Sequence, residues 1–366
     1  MQALYAFEQC KEANFQRCIE RIEEAYLPDL NSMEPQDKKQ LDKDKKQAIS
    51  LFKKKFSNLD TAEFPNDKMK ELLIAERKFY YTQVEKDFKF LKKQILKEVE
   101  DIYADYIEAL ALLIAFADAA KADKKLDHGN FVKSHRITVL KKDDALKQAM
   151  LKFSKWETNF TEVRIWFRDL VKNNDTYLAF LDKRSPDESD ELNILIHISR
   201  KIVLSKGPIF DYFESKDLYW AENRDIVKSL VDKTLKSYKP GENKSIQLQT
   251  LSPNWEEDKQ FFADLFVAAV NLDEQYKDLI AKNTRNWEVD RLPLTDRVIL
   301  ELALAEVLNF PNIPVKVTIN EYIELSKKYS TDKSRQFVNG ILDVITKKMQ
   351  QSGNLKKSGR GLIDNK

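Results

Sequence analysis

Between Pro293 and Pro311 the chain carries a run that leaves few ways to fold. From Val298 to Leu308 only Glu301 and Glu306 are charged. A surface that is apolar nearly all round has no side to offer water, so the run predicts the buried central helix of a bundle. Pro311 lacks an amide proton and disfavours helix at Phe310, which sets the end. A second helix is expected from near Pro314, with Val315, Ile319, Tyr322, Ile323 and Ser326 on one face. Ser330-Thr331-Asp332 breaks it and offers caps for a third. There Phe337, Ile341 and Ile345, with Val338 and Leu342, form the inward stripe. Gly340 falls inside that stripe at a cost of about 1 kcal/mol relative to alanine, so a close helix-helix approach is expected at it.

Composition supports helices throughout. The 366 residues include only 7 glycines and 10 prolines, while 33% are charged, which fits long amphipathic helices joined by short loops. The net charge of +2 excludes a general basic field, so any nucleic acid must be drawn by local patches. Cys10 and Cys18 are separated by about 12 Å of helical rise, too far for a disulfide, and are read as small packing groups in a reducing compartment. No signal peptide is read at Met1. The most apolar window, Tyr106 to Ala120, is too short to span a bilayer and carries Glu108 and Asp118, so it is expected to be a buried helix.

Along the chain, residues 1–26 read as a helix with Leu4, Phe7, Phe15, Cys18, Ile22 and Tyr26 inward. Residues 29–66 are lysine-dense and poor in stacking aromatics, which favours a solvated helical face over a nucleic-acid patch. Residues 67–126 read as one or two long helices, with Val84, Phe88, Leu91, Ile95 and Val99 stepping by three or four. A further helical block, 145–181, presents Trp156, Phe160, Val163, Trp166, Phe167 and Leu170. His128 and His135 lack metal-ligand spacing and His197 sits among aliphatics, so no metal site is expected. Residues 240–254 are the best linker. The glycine- and lysine-bearing tail, 351–366, is expected to be disordered.

The C-terminal words are recognisable together. Asn286-Trp287 with Asp290-Arg291-Leu292, Ile299-Leu300, Ala303 and Glu306 are followed by Ile313-Pro314-Val315-Lys316-Val317 and Ile319-Asn320-Glu321. Ile323-Glu324-Leu325, Lys327, Ser334, Phe337-Val338-Asn339-Gly340 and Leu342-Asp343 complete the series without a gap. This block resembles the C-terminal half of the NusB family of bacterial antitermination and ribosomal-RNA processing factors. Gln2-Ala3-Leu4-Tyr5 resembles the family's first-helix word. Trp166 to Val171 resembles a middle word, but Phe261 to Phe266 is better placed, so residues 255–286 are read as the family helices.

The resemblance implies an all-α, NusB-like helical bundle with a large helical insertion. Residues 1–254 would hold the first helix and the insertion (about 28–250), and 255–350 the C-terminal bundle. It further implies a cytoplasmic, RNA-binding factor. Its expected partners are the box A element of ribosomal-RNA leaders, the small-subunit ribosomal protein NusE and the RNA polymerase elongation complex. The RNA-contact candidates carried over are Gln2, Tyr5, Lys316, Lys333 and Arg335, with Asp296 beside the first helix to orient a basic partner. An arginine-rich arm normally precedes the first-helix word; the chain opens at Met1, so the expectation is either a start set too late or the loss of a principal RNA contact. Glu301 stands where the family usually has arginine. No glycine-rich phosphate or cofactor loop and no nucleophile-base arrangement is present, so no cofactor and no catalysis are expected. The competing reading is a helical protein-interaction scaffold that has lost RNA binding.

Overall fold

The computed structural model describes residues 1–29, 31, 35–154, 156, 159–242, 245–284 and 292–365. These form sixteen α-helices, and no strand occurs among the described residues. The protein is all-α. Asn286, Trp287, Asp290 and Arg291 of the sequence series lie outside the described residues.

Two compact units divide the chain, one made of residues 1–95 and 260–366 and the other of residues 96–259. The first unit contains α1 (Gln2–Ala25), α2 (Lys38–Lys55) and the opening part of α3 (Asp67–Ala122). It also holds most of α12 (Trp255–Val270), then α13 (Glu274–Thr284), α14 (Leu294–Asn309), α15 (Val315–Tyr329) and α16 (Asp332–Gln351). Its centre is α14. Every side chain from Val298 to Val307 is buried, Glu301 and Glu306 included, because a helix without a polar face must be surrounded. Leu4 and Phe7 of α1, Phe266 of α12, Ile280 of α13 and the Phe337–Ile341–Ile345 stripe of α16 close around it.

The second half of α1 belongs to another core. Cys18, Ile19 and Ile22 pack with Ala48 and Phe52 of α2 and with Met69 and Leu73 of α3. The Cys18 thiol is held up at about 11 by burial, with Glu76 adding to the rise. The lysine-dense segment has become α2, capped by Asp37, whose side chain accepts from the Lys39 and Gln40 amides.

In the second unit, Tyr106 to Ala120 of α3 is buried, as its composition predicts, apart from Asp118, which is exposed and pairs with Lys141. The expected helical block over 145–181 is instead broken into α6 (Asp144–Phe153), α7 (Phe160–Trp166), a π turn (Phe167–Val171) and α8 (Asp175–Leu181). A second π turn (Ile198–Val203) follows α9 (Glu188–His197), and the two π turns lie against each other. His128 is buried, with Nδ1 2.9 Å from the Tyr177 hydroxyl and Nε2 3.2 Å from Asp123. Among the described residues no group of three His, Cys, Asp or Glu side chains is placed to hold a metal. No helix among them is long and apolar enough to cross a membrane.

Two local expectations are corrected. Gly340 is exposed, and a Cβ built on it meets nothing within 4 Å, so no neighbouring helix approaches there. The helical phase that points Ile341 inward turns Gly340 to solvent. The tail, read as disordered, lies against the turn between α14 and α15. The Ser358 amide donates to Pro311 O (3.1 Å), Ser358 Oγ to Asn312 Oδ1 (3.0 Å) and Lys357 Nζ to Phe310 O (3.2 Å). A Cβ on Gly361 would stand 2.1 Å from Pro311 O, so only glycine permits this approach.

Candidate nucleic-acid interface

The site is built where α14 begins and α15 hands over to α16. Asp296, in the first turn of α14, is only 3% exposed. Its Oδ1 accepts from Ser330 Oγ at 2.5 Å. Ser330 Oγ is in turn 2.9 Å from Ser334 Oγ, which also lies 2.9 Å from Thr331 Oγ1. This chain of hydroxyls ends on a carboxylate and fixes the joint between three helices, because buried polar groups must find partners among themselves. The expected pairing of Asp296 with a basic group beside α1 is not what the structure places there. Its helical phase points inward; the basic residue beside α1 is the next one, Arg297, with Nη2 3.3 Å from Glu8 and Nε 3.9 Å from Glu301. Burial holds the Glu301 carboxyl above the usual range, with Arg297 opposing the rise.

Lys333 and Arg335 flank buried Ser334 in the first turn of α16, and both are exposed. The free amides of a helix start add positive potential at the same place. Lys327 and Lys328 close α15 beside them, so the joint carries four cationic side chains. Lys327 is paired with Glu324, while Lys328 Nζ stands 5.1 Å from the Tyr329 ring centroid. Lys328 was not among the sequence candidates; its position next to the Ser330-Thr331 break was the available signal.

Lys316 is exposed in the first turn of α15, at the opposite end of that helix. Twelve residues separate it from Lys328, about 18 Å of rise. The structure therefore groups Asp296, Lys333 and Arg335 and leaves Lys316 apart. That far end is fastened by Glu306, whose carboxylate accepts from Thr318 Oγ1 (2.7 Å) and the Tyr322 hydroxyl (3.0 Å). The Tyr322 hydroxyl is pushed far up by burial and then by Glu306. Gln2 and Tyr5 lie on α1, one to two turns before Glu8; Tyr5 is 38% exposed and Gln2 half-buried, while Leu4 and Phe7 point into the core.

The NusB family model matches residues 220–347. Residues 220–347 carry a NusB family domain. The match opens at α11 (Trp220–Ser237), upstream of the expected boundary near residue 255. Relatives include the transcription antitermination protein NusB of Chloroherpeton thalassium, 51% identical over 85 residues, 23% of this chain and 40% of that protein. The NusB of Salinibacter ruber is 40% identical over 105 residues, covering 29% of this chain and 66% of the relative. That of Natranaerobius thermophilus is 43% identical over 79 residues, 22% of this chain and 57% of the relative. The matched segment thus spans less than half of the first relative's length. No solved structure matches the chain. The α14–α16 joint lies inside the NusB match, and α1, which packs on α14, lies outside it.

Proposed function

We propose that this chain is an RNA-binding transcription antitermination factor of NusB type, acting in the cytoplasm on box A of ribosomal-RNA leader transcripts with the ribosomal protein NusE and the elongating polymerase. The observation that carries this reading is the stapled joint within the NusB domain, with Lys333 and Arg335 exposed on a helix start. Lysine and arginine neutralise phosphates and so position a single strand; polar and aromatic groups meet its unstacked bases. In this reading Lys333, Arg335 and Lys328 hold the backbone at the joint. Gln2 and Tyr5 meet bases along α1, and Lys316 takes a phosphate farther along the strand. Asp296 acts through the joint, as a positioning residue that keeps Ser330 and Ser334 in place.

The test is binding of box A RNA with and without NusE. Reversing Lys333 and Arg335 to glutamate is expected to weaken the NusE-assisted complex at least tenfold at equal salt, with the melting temperature unchanged because both side chains are exposed. Parent-like binding by that variant contradicts the RNA reading. It favours instead a helical protein-interaction scaffold, a reading supported by the separate core of residues 96–259.

A further inference from the structure

The unit formed by residues 96–259 contains a groove that neither the NusB domain's role nor the joint uses. It is open, about 450 Å³, and lies between the last turn of α3 and α7 with its π turn. Five cationic side chains line it: Lys124, Lys125, Arg164, Arg168 and Lys172. One carboxylate in the lining, Asp123, opposes them, and it and the neighbouring Asp169 are already taken. Asp123 receives Lys172, the Lys125 amide (2.9 Å) and His128, and these contacts, Lys172 foremost, hold its carboxyl well below the usual range. Asp169 pairs with its neighbour Arg168 at 2.5 and 2.8 Å. Among the described residues Lys124, Lys125 and Arg164 make no ion pair, and all three are exposed.

The carbonyls that end α3 attract cations, and that alone accounts for Lys124 and Lys125. It does not account for Arg164, which comes from a different helix and faces the same space. The π turn is a second, independent feature. It closes with the Lys172 amide donating to Phe167 O at 2.8 Å, five residues back. Such widened turns are rare and recur at functional sites. The wall offers no stacking face, since Phe167 is buried and Ile165 is the exposed apolar group. Cations without an aromatic platform grip phosphate and leave bases unread.

We infer that this groove binds the phosphodiester backbone of single-stranded RNA without sequence preference. The ligand's identity rests on the RNA reading above; the site itself does not.

The test uses the full chain and a uridine homopolymer, which carries the phosphates but no box A sequence. Replacing Lys125 and Arg164 with alanine removes two phosphate contacts. Affinity at low salt is expected to fall at least tenfold, and the log-log salt slope to become shallower by about 1.4, at about 0.7 per single-strand contact. The Lys333→Ala/Arg335→Ala chain is measured alongside. Loss with the groove pair, whether or not the joint pair also loses affinity, supports the groove. Loss with the joint pair alone overturns the groove and leaves the joint reading standing. Failure of the parent to bind any RNA overturns both. Inorganic phosphate is titrated alone against a chloride control of equal ionic strength: phosphate binding by a parent that does not bind the homopolymer assigns the groove to a free anion and overturns the inference. Unchanged circular dichroism and melting show that the groove variant folds.

Discussion

At Asp105, on α3, burial pushes the carboxyl from 3.8 up to about 7; Lys216 opposes the rise, and Asp217 and Glu108 add to it. The side chain is 5% exposed, and Oδ2 has no hydrogen-bond partner among the described residues. The folded chain therefore keeps a proton that the unfolded chain releases between those two values. Stability from this group is present at low pH and declines as pH rises through the window, by at most about 1.4 kcal/mol per unit. Asp105→Asn should match the parent's urea midpoint near about pH 4 and exceed it above about pH 7. A midpoint difference that does not change with pH contradicts this. Gly340 gives an opposite kind of prediction. With solvent on its open side and helix on both flanks, Gly340→Ala should raise stability by about 1 kcal/mol, read as a higher melting temperature. The sequence placed this glycine in an apolar stripe, because neighbours at 337, 338, 341 and 342 are inward and spacing alone does not exclude the residue between them.

At the scale of elements, α14 was legible because two charges in eleven positions leave no polar face, and the prolines fixed both ends. Leu304→Asp has no side on which to turn a carboxylate outward. The uncompensated charge should cost several kcal/mol, comparable to the stability of a domain, and leave the C-terminal bundle unfolded by circular dichroism. A soluble variant with unchanged melting contradicts the central position of α14. The joint was only half legible. Ser330-Thr331-Asp332 marked a break, but which hydroxyl meets Asp296 depends on helical phases set by packing. The interruption of α7 by a π turn was invisible, since an extra residue within a turn leaves the composition unchanged. The docked tail was also missed: glycine and lysine read as disorder, whereas Gly361 is needed because its backbone presses on Pro311.

For the molecule as a whole, a charge of +2 leaves recognition to local clusters, and among the described residues the α15–α16 joint and the groove beside α7 are two such clusters, besides the lysine-dense α2. The family words placed the first and last helices in one core, and Leu4 and Phe7 do pack on α14. The insertion was legible only as helical. The mutual packing of its short helices depends on contacts remote in sequence, such as the Tyr106 hydroxyl 2.5 Å from Thr234 Oγ1. In the proposed function the joint holds RNA by its phosphates, so the salt dependence of box A binding reports on it directly. With NusE present, the Lys333→Ala/Arg335→Ala chain should show a log-log slope shallower than the parent's by about 1.4, two contacts at about 0.7 each. Parallel lines for parent and variant across the salt range contradict it and leave these side chains as ordinary surface.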